Sequence, residues 1–185
     1  MHHPSCQPGK LLQRGHPVSR SLVIFSHGKE SGPWGIKISA LATVAQNREF
    51  DVESIDYTDL TDPEARVRRL VARCSGEARP IILVGSSMGG YAATVASRQV
   101  KPAGLFLMAP AVYLPGYAET DPMPRAGQTF VVHGWDDEVI PMANAVRFAR
   151  RTQARLFLVG DDHSLTGQLR FIEELFRLFL DRLKN

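Results

Sequence analysis

A serine, an aspartate and a histidine in this sequence could act together as a nucleophile, an orienting acid and a general base. Ser87 lies within "GSSMGG", Asp137 within "HGWDDEVIP" and His163 within "GDDHSL". A serine hydroxyl is a poor nucleophile at neutral pH, and it needs a base that is itself held by an acid. Each of the three residues follows a different apolar run, so a fold that gathers the ends of those runs could bring them together.

The glycine spacing selects Ser87 over its neighbour Ser86. The pattern G-x-S-x-G fits Gly85, Ser87 and Gly89, whereas Ser86 would have valine and methionine at the glycine positions. In this pattern a sharp strand-to-helix turn holds the serine in a strained backbone conformation with its hydroxyl exposed. The alternative is a packing turn that only requires small residues. The apolar run before the pattern favours the nucleophile.

Six short apolar runs predict the strands that would carry these residues. Most are continuously apolar, which is typical of parallel strands that are covered on both faces. The second run, "FDVESID", alternates and is therefore expected nearer an edge of the sheet. The runs span residues 21–26, 50–56, 80–85, 104–109, 129–134 and 154–160.

Helical patterns lie between the runs and predict a three-layer α/β/α sandwich around a mostly parallel sheet of about six strands. The second helix is expected to begin at Pro63, with Asp62 as its N-cap. The basic stretch "RVRRLVAR" in that helix is interpreted as a solvated face. The apolar spacings that support the helices are those of Ile38, Leu41, Ala42 and Ala45, of Val67, Leu70, Val71 and Cys74, and of Ile172, Leu175, Phe176, Phe179 and Leu183.

Length and composition are those of a soluble globular protein. We expect one domain over residues 21–185 of the 185 and an N-terminal extension over 1–20, which could be flexible. The net charge of +3 comes from scattered basic residues, so nucleic acid is not an expected partner. No apolar run reaches the length of a membrane span, and no signal peptide is recognisable.

We therefore predict a cytoplasmic protein without metal or cofactor, and the oligomeric state stays open. Cys6 and Cys74 have no disulfide or metal-site spacing.

These motifs together resemble the α/β-hydrolase fold family, from "LVIFSHG" to the terminal helix. The segment "VVHGWDDEVIP" resembles the family's acid loop, H-G-x-x-D-x-x-V/I-P, and the match falls on Asp137. Asp136 is its main rival and Asp162 a distant one. The order Ser87, Asp137, His163 is also the order of that family.

The resemblance implies an oxyanion hole made by the backbone N–H groups of Lys29 and Met88. "SHGKESG" resembles the oxyanion loop, in which His27 would order the backbone without transferring protons. His133, which ends a strand, is expected to be structural. The region 110–128, where many members insert a helical lid, is short here. A small, lidless serine hydrolase is therefore implied.

The expected activity is cleavage of a carboxylic ester or thioester through an acyl-enzyme on Ser87, with small or short-acyl substrates favoured. Trp34 and Tyr113, with Met108 and Leu114, are candidates for the substrate pocket, although ordinary packing explains them equally well. Two alternatives stay open: a catalytically silent binding protein of the same fold, and a peptidase or amidase, because amide cleavage uses the same three residues.

Overall fold

The computed structural model describes residues 20–184, and within this range six strands form one parallel sheet. All strand pairs in the sheet are parallel. The predicted N-terminal extension lies outside the described residues except for Arg20. The strands are β1 (Leu22–Ser26), β2 (Asp51–Ile55), β3 (Ile81–Ser86), β4 (Gly104–Met108), β5 (Gln128–Gly134) and β6 (Arg155–Val159).

Five helices in the same range cover the two faces of the sheet. The first and last helices pack on one face, and the three middle ones pack on the other. This arrangement confirms the predicted three-layer sandwich. The helices are α1 (Ile36–Gln46), α2 (Pro63–Cys74), α3 (Met88–Val100), α4 (Met142–Thr152) and α5 (Leu169–Asp181). None of these helices is long and apolar enough to cross a membrane.

The strand order is β2-β1-β3-β4-β5-β6. The alternating run therefore forms an edge strand, as predicted, and its residues are mostly half-buried. The direction of winding reverses at β1, whose neighbours are β2 and β3. In open parallel sheets, ligands bind beyond the carboxyl ends of the strands at such a reversal. The loops after β1 and β3 are therefore the expected walls of a binding site.

Helix α2 begins as predicted, because the Asp62 carboxylate accepts hydrogen bonds from the N–H groups of Glu64 and Ala65. The interpretation of its basic stretch as a solvated face is correct for Arg68, whose side chain is exposed. It is wrong for Arg66, which is 2% exposed. Arg66 lies one position before the buried Val67, so its side chain extends under the loops at the carboxyl end of β1 instead of into solvent.

Candidate active site

Ser87 lies in a sharp turn between β3 and α3 with a strained backbone. Its φ of 53° and ψ of −121° place a non-glycine residue in a region that costs about 1–3 kcal/mol. The backbone around it compensates: the Ser87 N–H donates to the Met108 carbonyl at 2.9 Å, and the Ser87 carbonyl accepts from the Ala111 N–H at 3.0 Å. Met108 ends β4 and Ala111 lies in the loop after it, so the neighbouring strand and its loop fix the turn.

The two glycines of the motif are required by close backbone packing. A Cβ on Gly85 would lie 2.6 Å from the carbonyl oxygen of Gly89. A Cβ on Gly89 would lie 2.0 Å from the carbonyl oxygen of Ser26, at the end of β1. No side chain fits at these distances, so the glycines allow the start of α3 to rest directly on the β1 loop. The strained turn at Ser87 therefore packs directly against the loop that begins at His27.

The structure brings the three predicted side chains into one hydrogen-bonded chain. His163 Nε2 lies 3.1 Å from Ser87 Oγ, and His163 Nδ1 lies 2.8 Å from Asp137 Oδ2. A carboxylate accepts hydrogen bonds, so Nδ1 carries the hydrogen in this contact and Nε2 is the ring nitrogen that faces the serine hydroxyl. The imidazole is 25% exposed and the Asp137 side chain is fully buried. The histidine ring is therefore accessible from solvent, whereas the aspartate carboxylate is shielded from water.

The buried carboxylate of Asp137 has donors at both oxygens. Oδ1 accepts from the N–H groups of Val139 and Ile140 at 2.9 and 2.8 Å. Oδ2 faces His163 Nδ1 and also His133 Nε2, which is 3.2 Å away. The sequence predicted only a structural role for His133, and its contact with Asp137 was missed. The hydrogen on His133 Nε2 is donated to the Ile140 carbonyl at 2.9 Å, so the ring holds the loop that carries Asp137 and lies in contact with its carboxylate.

Close contact between two loops places Asp137 beside His163. A Cβ on Gly134 would lie 2.2 Å from the carbonyl oxygen of Asp161, so only glycine lets the loops after β5 and β6 touch here. The Asp136 N–H donates to that same carbonyl at 3.1 Å. The rival acids are directed elsewhere: Asp136 is exposed, and the Asp162 carboxylate accepts from the Ser164 N–H at 2.8 Å. Asp137 is the aspartate that contacts His163.

The two N–H groups that the resemblance implied as oxyanion donors both border the serine. Met88 is the first residue of α3, and Lys29 follows Gly28, on which a Cβ would lie 3.5 Å from Ser87 Cβ. Both residues line the cavity beside Ser87. Within residues 20–184 neither N–H donates to a protein acceptor, so both are free to bind a ligand oxygen.

His27 is buried behind this loop in one defined tautomer. Its Nε2 accepts from the Tyr57 N–H at 2.9 Å, so Nδ1 carries the hydrogen and donates to the Gly28 carbonyl at 2.7 Å. Burial lowers the pKa of His27 from its ordinary value, which keeps the ring neutral. His27 therefore holds the loop, as predicted, and has no contact with the serine that would let it transfer a proton.

A cavity of about 450 Å³ opens beside the serine. Its apolar wall comes from the loops after β4 and β5 and comprises Ala111, Leu114, Tyr117, Val139 and Ile140. The candidates Trp34 and Tyr113 do not line it. Trp34 is 52% exposed to solvent, and the Tyr113 ring packs 3.9 Å from the Arg147 guanidinium of α4. The sequence could not separate Tyr113 from Leu114 and Tyr117, because the intervening turns decide which side chains point inward.

Lys37 also lines this cavity and was missed, because it lies on a helix between apolar residues. Its ammonium donates to the carbonyl of Ser164, the residue after the base. Burial is the main reason that the pKa of Lys37 is lowered. Among residues 20–184, no group of three or more histidine, cysteine, aspartate or glutamate side chains is placed to hold a metal ion.

Comparisons with known proteins agree on one family. Residues 20–183 match the model of the alpha/beta hydrolase family. A Xanthomonas campestris pv. campestris protein assigned to the hydrolases of the alpha/beta superfamily is 35% identical, with a TM-score of 0.79 over 88% of this chain and 99% of its own. Est1E from Butyrivibrio proteoclasticus is 17% identical, with a TM-score of 0.76 over 91% and 90% of the two chains.

A further Xanthomonas campestris structure, described as an α/β serine hydrolase without a lid, is 18% identical, with a TM-score of 0.66. It covers 90% of this chain and 85% of its own. Because this protein and Est1E are only 18% and 17% identical to the chain, their similarity to it concerns the fold alone. A search of curated protein sequences finds no match.

The two buried histidines make stability depend on pH. Burial lowers the pKa of both His27 and His133 below the ordinary 6.5, so the unfolded chain takes up protons that the folded chain excludes. The free energy of unfolding therefore falls as the pH drops below about 6.5, by at most about 1.4 kcal/mol per pH unit for each histidine. Urea unfolding between pH 7.5 and 5.5 measures this pH dependence. In His133→Gln the free energy of unfolding is expected to fall less steeply with decreasing pH than in the wild type. An identical slope in that variant contradicts the assignment for His133.

Proposed function

The chain belongs to the alpha/beta hydrolase family, and from this premise we propose that it is a serine hydrolase that cleaves a carboxylic ester or thioester. The observation that carries the proposal is the continuous chain of hydrogen bonds from Asp137 through His163 to Ser87. A strained serine at a strand-to-helix turn, with a base within reach of its hydroxyl, is the arrangement that acyl transfer requires.

The hydrogen-bond geometry supports a defined first step. His163 Nε2 takes the proton from Ser87 Oγ as that oxygen attacks the acyl carbon. Asp137 holds Nδ1–H and stabilises the imidazolium that forms. Because both carboxylate oxygens are already bound to fixed donors, the acid keeps the ring in place without having to rearrange.

The negative charge that develops on the acyl oxygen would be held by the free N–H groups of Lys29 and Met88. Loss of one such donor in comparable enzymes costs about 2.7–4 kcal/mol of transition-state stabilisation. The N-terminus of α3 adds a favourable field, because Met88 is its first residue. The alcohol or thiol leaves with the proton from His163, and water then cleaves the acyl-enzyme by the same steps in reverse.

The shape of the site supports a small substrate with a short acyl group. Residues 109–127, between β4 and β5, contain no helix that could close over Ser87. The cavity of about 450 Å³ is therefore bounded by loops and lies open to solvent. A long alkyl chain would leave most of its surface in water and would gain little from binding.

A fluorophosphonate probe tests the nucleophile. We expect the probe to label the wild-type protein and not Ser87→Ala, because the probe needs an activated serine. Ser86→Ala is the matched control: Ser86 ends β3, is buried and lies outside the hydrogen-bonded chain, so labelling is expected to persist. Labelling is read by intact-protein mass spectrometry, with circular dichroism to show that each variant is folded.

Two results would count against the proposal. Equal labelling of Ser87→Ala and wild type would remove Ser87 as the nucleophile. A folded wild-type protein without labelling and without a burst of nitrophenol from an activated ester would instead indicate a silent binding protein.

The acyl chain length is tested with p-nitrophenyl esters from acetate to long-chain acids. We expect kcat/KM to be highest for the short esters, because the cavity offers little apolar surface to a long chain. The measurement is the initial rate below the critical micelle concentration of each ester. Faster turnover of long-chain than of short-chain esters would overturn the preference.

A further inference from the structure

Arg66 is a buried charge that the proposed reaction does not use. It extends from α2 and is 2% exposed. Within residues 20–184 its guanidinium forms no ion pair with a carboxylate. Burying an arginine without a counter-charge is costly, because the charged group loses its water and gains no opposite charge in return. A buried arginine without a counter-charge needs hydrogen-bond acceptors instead. The acceptors of Arg66 lie in the loops after β1 and β2.

The hydrogen-bond partners of the guanidinium are four backbone carbonyls, and its carbon also lies 5.1 Å from the centre of the Tyr57 ring. Nε donates to the Leu60 carbonyl at 2.9 Å and Nη2 to the Tyr57 carbonyl at 3.4 Å. Nη1 donates to the carbonyls of His27 and Gly28 at 3.0 and 3.2 Å. Arg66 thus joins the loop after β2 to the loop after β1 that carries the candidate oxyanion donor. The rigid planar fork of arginine can meet several carbonyls at once, which a lysine ammonium cannot do in the same way.

The contact with Gly28 bears directly on Lys29. The Gly28 carbonyl and the Lys29 N–H belong to the same peptide group, and in a trans peptide they point in opposite directions. This carbonyl accepts from two buried donors, Arg66 Nη1 and His27 Nδ1. Because these donors hold the Gly28 carbonyl towards α2, the Lys29 N–H points away from α2. Lys29 lines the cavity beside Ser87. Donors on a carbonyl also polarise its peptide and make the N–H a stronger donor.

We propose that Arg66 is a positioning residue for the oxyanion hole: it aims and polarises the Lys29 N–H through the Gly28 carbonyl. The inference rests on the proposed function, because an oxyanion forms only if Ser87 attacks an acyl group. Arg66 touches no reacting atom in this account. It acts on the transition state through one peptide group.

The arrangement around His27 fits this role. Its ring must stay neutral to accept from the Tyr57 N–H and donate to Gly28 at the same time. Burial is the main cause of its lowered pKa, and the positive charge of Arg66 acts in the same direction. The two donors on the Gly28 carbonyl therefore act together: the guanidinium helps to keep the imidazole neutral, and the Tyr57 N–H sets its tautomer.

Three variants test the inference. Arg66→Met removes the donors and keeps much of the apolar stem, and Arg66→Lys keeps the charge with a less suitable geometry. Arg69→Met is the matched control, since Arg69 lies on the same helix and binds the same β2 loop through the Asp56 carbonyl and the Asp59 carboxylate, with no contact to Gly28.

The readouts are kcat and KM with p-nitrophenyl acetate and the inhibition constant of a trifluoromethyl ketone, which forms a tetrahedral oxyanion on serine. We expect kcat to fall about 100-fold in Arg66→Met, at the lower end of the range for a lost oxyanion donor, and about 10-fold in Arg66→Lys, which keeps a charged donor in a poorer geometry. KM is expected to change less than 3-fold, and ketone binding to weaken in parallel with kcat. Arg69→Met is expected to keep wild-type values.

A purely structural role predicts a different pattern, in which melting temperatures fall while kcat and ketone binding of the folded fraction stay at wild type. That pattern would overturn the inference.

If Arg66→Met does not fold, Arg66→Lys becomes the test variant. The Lys29 amide proton of Arg66→Lys is expected to shift upfield in the NMR spectrum, whereas the same proton in Arg69→Met is expected to stay at its wild-type position. A wild-type protein that turns over no ester and binds no ketone would refute the proposed function, and the inference with it. Wild-type turnover with an unaffected Arg66→Lys would refute the inference alone.

Discussion

The site depends on one close contact, in which the start of α3 rests on the backbone at the end of β1. A Cβ on Gly89 would lie 2.0 Å from the Ser26 carbonyl oxygen, so the contact exists only because that residue is glycine. It brings the turn that carries Ser87 against the loop that carries Lys29. The strain at Ser87 is tolerated because its backbone groups are bound to the neighbouring β4 end. The proposed nucleophile and the candidate oxyanion donor are thus placed by packing of the backbone.

Buried polar groups then fix the directions of the side chains. Asp137 is surrounded by donors on both carboxylate oxygens, and two of them are backbone N–H groups of its own loop. His27 and Arg66 fix the loop after β1 in a similar way, because both donate to the Gly28 carbonyl. In each case a buried polar group is bound by hydrogen bonds to the backbone of the loops beside Ser87. Donors held in this way are the kind of fixed arrangement that electrostatic stabilisation of a transition state requires.

Much of this fold could be predicted from local patterns. Buried parallel strands appear as continuous apolar runs, and the Asp62–Pro63 pair marks the start of α2. The glycine spacing around Ser87 identifies the turn because the steric demand is local. What the sequence did not indicate depends on tertiary packing: Arg66 looks like its exposed neighbour Arg68, and nothing in the helix pattern distinguishes them. For the same reason the cavity wall was only partly found, since loop turns decide which side chains point inward.

The hydrogen bond between Asp137 and His163 is the interaction on which the proposed chemistry depends most, and its removal tests the account most directly. The measurement is kcat for p-nitrophenyl acetate in Asp137→Asn and Asp136→Asn, two neighbouring and equally conservative changes. Asp137→Asn is expected to lower kcat by about three to four orders of magnitude, because an amide favours the wrong tautomer of the imidazole. Asp136 is exposed, and its variant is expected to stay within a few-fold of wild type. Equal losses in the two variants, or a larger loss in Asp136→Asn, would contradict the account.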